Sequence, residues 1–107
     1  MKYSIMKELC MFDLPMETTK EKRIYRKFRK ELIKQGFVMM QFSIYIRTCP
    51  TREYVNRLEK RISKIVPKEG NVRLLTITEK QFEEMKVLVG DKSLKETAIK
   101  DERYVVI

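Results

Sequence analysis

Phe37-Val38-Met39-Met40-Gln41-Phe42-Ser43-Ile44-Tyr45-Ile46-Arg47 is the stretch on which the fold turns. Its aromatic and β-branched side chains give it strand character from end to end. Phe42, Ile44 and Ile46 share one side; Ser43, Tyr45 and Arg47 share the other. No Gly, Pro or Asn turn signal lies inside it, so periodicity alone permits one long strand or two short ones. Two short strands complete the order βαββαβ. That is the ferredoxin-like arrangement, an α+β fold with one antiparallel sheet and two helices on one face.

Upstream, Gly36 ends a helix over Thr18–Lys34 in the expected left-handed position. Thr18-x-x-Glu21 fits a capping box at its start. Ile24, Phe28 and Leu32 line one face, with Tyr25 at the edge, and Arg23, Arg26, Lys27, Lys30 and Lys34 fall opposite. A first strand covers roughly Lys7–Leu14. Asp13 is the one ionised residue in its apolar run Leu9–Leu14, and Pro15, lacking an N–H for a ladder, stops it.

Downstream, Pro50-Thr51 opens a second helix with Val55, Leu58, Ile62, Ile65 and Val66 as its buried stripe. Arg52, Arg57, Lys60, Arg61 and Lys64 form its solvated side, and Pro67 closes it. Gly70-Asn71 turns into a strand over Val72–Ile77, and Thr78-x-x-Gln81 introduces a short helix to about Glu84. Met85–Val89 and Tyr104–Ile107 read as further strands around a polar, aperiodic loop, Asp91–Glu102. Residues 1–84 thus form a ferredoxin-like domain. Residues 85–107 add C-terminal strands and a mobile loop suited to an edge or a partner contact.

The 107 residues, 43% apolar, suffice for one compact domain, and a dimer is a natural state for so small a fold. The charge is uneven. Residues 1–78 carry net +10 and residues 79–107 net −1, within a total of +9. Lys20 to Lys34 alone holds eight basic residues against Glu21 and Glu31. Such a concentration on one helix exceeds what solubility requires and favours a polyanion, nucleic acid above all. Lysines and arginines there would touch phosphates, which position a duplex without reading its sequence. Lys22, Arg23, Arg26, Lys27, Lys30 and Lys34 are the candidate contacts. Tyr25 and Tyr45 could stack on bases, but core packing is the stronger reading for both.

The chain has no histidine, which removes the commonest general base and every Ser-His or Cys-His pair. A tetrahedral zinc site is equally disfavoured. Cys10 and Cys49 sit in or beside apolar runs and read as buried, inert thiols of a reducing cytosol, although sequence leaves a disulfide between them open. No apolar run approaches a membrane span, and the charged start of the chain does not fit a signal peptide, so no membrane partner and a cytoplasmic location are expected.

Met11-Phe12-Asp13-Leu14-Pro15, Tyr25-Arg26-Lys27-Phe28-Arg29-Lys30, Gly36-Phe37, Gln41-Phe42-Ser43-Ile44-Tyr45 and Gly70-Asn71-Val72 through Thr76-Ile77-Thr78-Glu79-Lys80-Gln81-Phe82 occur in that order. Together they resemble the Cas-two family of CRISPR-associated adaptation proteins, most closely the form accompanying Cas-nine (type II-A) systems. The resemblance covers nearly the whole chain and favours two short strands over 37–47. It implies a ferredoxin-like homodimer in which Asp13 is the metal-associated acid facing its symmetry mate. It also implies Mg²⁺-dependent endonuclease activity on RNA or DNA. Finally, it implies a central place in a complex with the Cas-one integrase, which captures foreign DNA as spacers.

The leading expectation is a homodimeric scaffold that binds duplex DNA (the prespacer) and bridges the Cas-one integrase. The rival is a metal-dependent endonuclease, with a toxin-like ribonuclease third. Asp13 has a bland alternative, a carboxylate satisfied by strand-end amides or an arginine. Two copies of it across a two-fold axis would share one Mg²⁺, an ion that keeps several waters. Glu8 and Glu17 are near in sequence but lack a specified partner, so any hydrolysis is expected to be slow.

Overall fold

The computed structural model describes residues 5–90, and Asp91–Glu102 and Tyr104–Ile107 lie outside them. The elements are β1 (Met6–Asp13), α1 (Thr19–Lys34), β2 (Val38–Gln41), β3 (Ile44–Cys49), α2 (Arg52–Ser63), β4 (Asn71–Thr78) and α3 (Glu79–Glu83). The sheet has the order β2-β3-β1-β4, with every neighbouring pair antiparallel. This is the ferredoxin-like arrangement.

The 37–47 segment is two strands. The turn between them is made by Phe42 and Ser43, and Ser43 takes φ 66°, a left-handed backbone that sequence assigns to Gly or Asn. The Ser43 carbonyl accepts the Phe12 N–H at 3.1 Å, which ties the turn to β1. Gly36 sits at φ 92° just beyond the α1 cap, and the Thr18–Glu21 box is closed in both directions. Thr78 and Gln81 form a second closed box.

Strand alternation assigns the two faces of the sheet. Met6, Cys10, Phe12, Tyr45 and Cys49 point toward α1 and α2, whose Tyr25, Phe28, Leu32, Val55, Leu58 and Ile62 complete the main core. Phe12 is its hub, with ring centroids 5.8 Å from Tyr25, 5.2 Å from Phe28 and 5.6 Å from Tyr45. In α1, Phe28 and Leu32 are buried as expected, and only the first position of the stripe differs. Tyr25 is buried against Phe12 and Ile24 is exposed, because the ring reaches the sheet where the branched aliphatic would not. In α2, Val55, Leu58 and Ile62 are buried as expected, but the helix ends at Ser63, so Ile65 and Val66 belong to the following loop.

The opposite face carries a smaller cluster of Leu9 and Ile46 with Met40, Ile44, Ile77 and Phe82. Phe82 comes from α3, so that short helix covers part of this face. Buried Lys7 lies there too, its Nζ donating to Thr48 Oγ1 at 2.6 Å and standing 5.3 Å from the Phe82 ring.

Met85–Val89 is a correction. Among the described residues this segment forms no strand, and Leu88 and Val89 are 89% and 93% exposed. A strand exists only through a ladder partner, and none pairs with this segment among the described residues. The cysteines also resolve. Cys10 pairs with Tyr45 across the sheet and Cys49 with Met6, four residues apart along the strands. That is ~13 Å at ~3.3 Å per residue, too far for a disulfide. Burial, helped by Glu8, pushes the Cys10 thiol up to about 12, so it stays protonated and inert.

Glu8 is fully buried under α2. Thr76 Oγ1 donates to its Oε1 at 2.6 Å, its Oε2 has no donor within reach, and the group facing it is a second carboxyl, Glu59. Desolvation, reinforced by Glu59, raises Glu8 to about 8, so at neutral pH it is protonated and can donate to Glu59. The folded state then binds a proton that the unfolded state releases above its ordinary value near 4.5. This contribution is complete below that value and is lost as pH rises through about 8. Glu8→Gln, which mimics the neutral acid, is expected to gain Tm over the wild type progressively between pH 5 and 8. Thermal unfolding across that range checks it, and a constant difference would contradict it.

Candidate functional site

Asp13 ends β1 opposite Asn71, the first residue of β4. Gly70 sets the approach. With φ 98° it lies so close to β1 that a Cβ there would stand 2.7 Å from the Asp13 carbonyl and 2.8 Å from Leu14 Cδ2. Asp13 shares the α3-side face with Met11, and Arg73, opposite Met11, faces the same way. A shallow depression of about 330 Å³ is lined by these residues with Phe42, Ser43, Ile44 and Asn71. Phe42 is 72% exposed at its rim.

Asp13 itself is exposed. Among the described residues no hydrogen bond or ion pair occupies its carboxylate, so the strand-end amide or arginine partner considered from sequence is not seen. Nor do the described residues contain a group of three or more His, Cys, Asp or Glu side chains able to enclose a metal. Among the described residues this depression offers one carboxylate, Asp13, with the Ser43 hydroxyl and the Asn71 amide nearby.

The basic residues lie elsewhere. Lys22, Arg23, Arg26, Lys27, Lys30 and Lys34 are all exposed on α1. Arg23, Arg26, Lys27, Lys30, Glu31 and Lys34 line a furrow of about 360 Å³ that shares no residue with the Asp13 depression. Of the six basic residues, only Lys34 is ion-paired among the described residues, to Glu31 at 3.5 Å. The furrow is thus an open strip of positive charge that Glu31 offsets only in part. Arg29 is diverted from it, its Nε donating to the Tyr45 hydroxyl at 2.7 Å. Tyr45 and Tyr25 are both buried in the core, so neither is offered to a base.

Asp13 and the basic residues of α1 stand out in the sequence, whereas Arg73 and Asn71 do not stand out as neighbours of Asp13. That proximity arises from the β1–β4 register, which no local pattern reveals. The Gly70-Asn71 turn signal was the one hint.

Comparison with known proteins agrees with this architecture. Residues 6–85 match the family model described as CRISPR associated protein Cas2. A CRISPR-associated endoribonuclease Cas2 of Ligilactobacillus salivarius is 43% identical over 95% of this chain and 100% of its own length. One from Parvibaculum lavamentivorans is 48% identical over 78% of this chain and 83% of its own length. A solved structure described as a crystal structure of Cas2 superposes with a TM-score of 0.58, covering 84% of this chain and 93% of that one at 22% identity, which shows the common fold. This is a small α+β protein of the CRISPR apparatus. The chain belongs to the CRISPR-associated protein Cas2 family. No helix among the described residues is long and apolar enough to cross a membrane.

Gly70→Ala forces a side chain into the Asp13–Leu14 backbone at a left-handed φ. It is expected to destabilise the fold by about 2 kcal/mol. Denaturant unfolding checks this, and stability equal to the wild type would show that the approach is not tight.

Proposed function

We propose that the chain is a Mg²⁺-dependent endonuclease acting on RNA or DNA in the CRISPR system, a cytoplasmic homodimer in which two Asp13 carboxylates face one site. The observation that carries this reading is Asp13 itself, an exposed acid at the end of an inner strand, flanked by Ser43, Asn71 and Arg73. The relatives' own name, CRISPR-associated endoribonuclease Cas2, supports it.

The donor set suits magnesium, a hard ion commonly held by one or two carboxylates and completed by waters and substrate phosphate. Asp13 of each protomer would hold it, and when bound it supplies Lewis acidity and a more acidic water. The protein's own part is chiefly to position the substrate. Arg73 offers planar donors to a phosphate beside Asp13, and Ser43 and Asn71 offer a hydroxyl and an amide. The α1 furrow holds phosphates of the same nucleic acid at a distance. With no histidine in the chain, proton transfer near Asp13 has no strong base, so turnover is slow.

A second reading is favoured by a separate observation, the net positive charge on α1. Here the homodimer lays duplex DNA, the prespacer, along paired α1 furrows and bridges subunits of the Cas-one integrase during spacer acquisition. The exposed apolar residues of Met85–Val89 would meet a neighbouring chain.

Two variants separate the readings. Asp13→Ala is expected to abolish Mg²⁺-dependent cleavage of RNA and DNA substrates while leaving duplex retention intact. Undiminished cleavage by Asp13→Ala would overturn the endonuclease. Combined Arg26→Ala, Lys27→Ala and Lys30→Ala is expected to weaken duplex binding at least tenfold. Spacer acquisition that survives Asp13→Ala and is lost in the triple variant would decide for the scaffold.

A further inference from the structure

α2 and the end of β3 hold a second cationic feature, separate from the α1 furrow and from Asp13. Three guanidiniums surround the ring of Tyr54. Their central carbons lie 4.5 Å (Arg47), 5.5 Å (Arg57) and 5.7 Å (Arg61) from its centroid. Arg57 and Arg61 follow Tyr54 by three and seven residues and so share its helix stripe. Arg47 comes up from the sheet and passes against Gly36, where an added Cβ would stand 2.5 Å from its Nε.

The ring attracts each cation, but three like charges around one ring repel one another. Among the described residues none of the three has a carboxylate partner. Arg61 Nε donates to a neutral acceptor, Gln35 Oε1, at 2.9 Å. Glu59, on the same helix, faces Glu8 instead. Arg47 Nη1 is buried with no acceptor at all. Clustered positive charge, planar fork donors and an orphaned buried N–H are together the recognition chemistry of a tetrahedral oxyanion.

We propose that Arg47, Arg57 and Arg61, gathered round Tyr54, form a site for a single phosphate group. The Gln35–Arg61 bond places it at the C-terminal end of α1, directly after Lys34, where the furrow ends. Where the phosphate belongs to a nucleic-acid backbone, the site extends the furrow from α1 onto α2, and that source rests on the nucleic-acid reading above. Free inorganic phosphate is the other source of the same chemistry.

Arginine Nε–H resonances of the full chain, titrated with inorganic phosphate at low ionic strength, test the site directly. Saturable shifts confined to Arg47, Arg57 and Arg61 are expected, and they are expected to vanish in the folded Arg57→Gln, Arg61→Gln double variant. Small, unsaturable shifts spread equally over Arg23 and Arg26 would mean only an ion atmosphere and would overturn the proposal. On short duplex DNA the double variant is expected to reduce the slope of log K against log salt by about one. An unchanged slope with wild-type duplex affinity would overturn the backbone source. Saturable phosphate shifts in a protein that retains no duplex would uphold the site while sinking the nucleic-acid reading.

Discussion

The packing of Phe12 against Tyr25, Phe28 and Tyr45 holds the molecule in register. One side chain of an inner strand is locked to α1 on two helical turns and to β3 beside it. Because side chains alternate along a strand, a slip of one residue would turn Phe12 out of the core and Asp13 into it. That exchange would lose several aromatic contacts and bury a carboxylate, both costly. The same ring that anchors the core therefore fixes Asp13 on the far face, at the strand's end. Gly70 and the Ser43 carbonyl then hold that end from the two neighbouring loops.

From this constraint follows a division of labour between two faces. The helix side keeps the core dry and sends its charge outward along α1 and α2. The other side carries Asp13, Arg73 and a partly covered apolar patch around Leu9 and Ile46. Asp13 lies away from the lysines of α1, with Arg73 as the cation on its own side. The helix lysines in turn remain open to a polyanion. A protein of net +9 can thus hold a phosphate backbone on one surface and present an unpaired carboxylate on another.

Much of this was legible in the sequence, and the exceptions have physical causes. Both capping boxes, the Gly36 stop and the acid before Pro15 are local signals, and the structure follows them. The split of 37–47 was hidden because Ser43, not Gly or Asn, takes the left-handed backbone; only the resemblance to a family chose between the alternatives. Met85–Val89 has the apolar pattern of a strand, but pattern cannot supply a ladder partner. Tyr25 replaced Ile24 in the core because reach, not hydropathy, decided the edge of the stripe. The pairing of Asp13 with Asn71, the Glu8–Glu59 pair and the arginines around Tyr54 are all contacts between segments distant in sequence or set by packing, to which periodicity is blind.

Both proposed readings require that a positively charged helical surface grip nucleic acid through its phosphates. The salt dependence of wild-type affinity for a short duplex addresses it most directly. Engagement of about six phosphates predicts a slope of log K against log salt of roughly −5. A slope near zero, or no retention of the duplex at low ionic strength, would contradict the account.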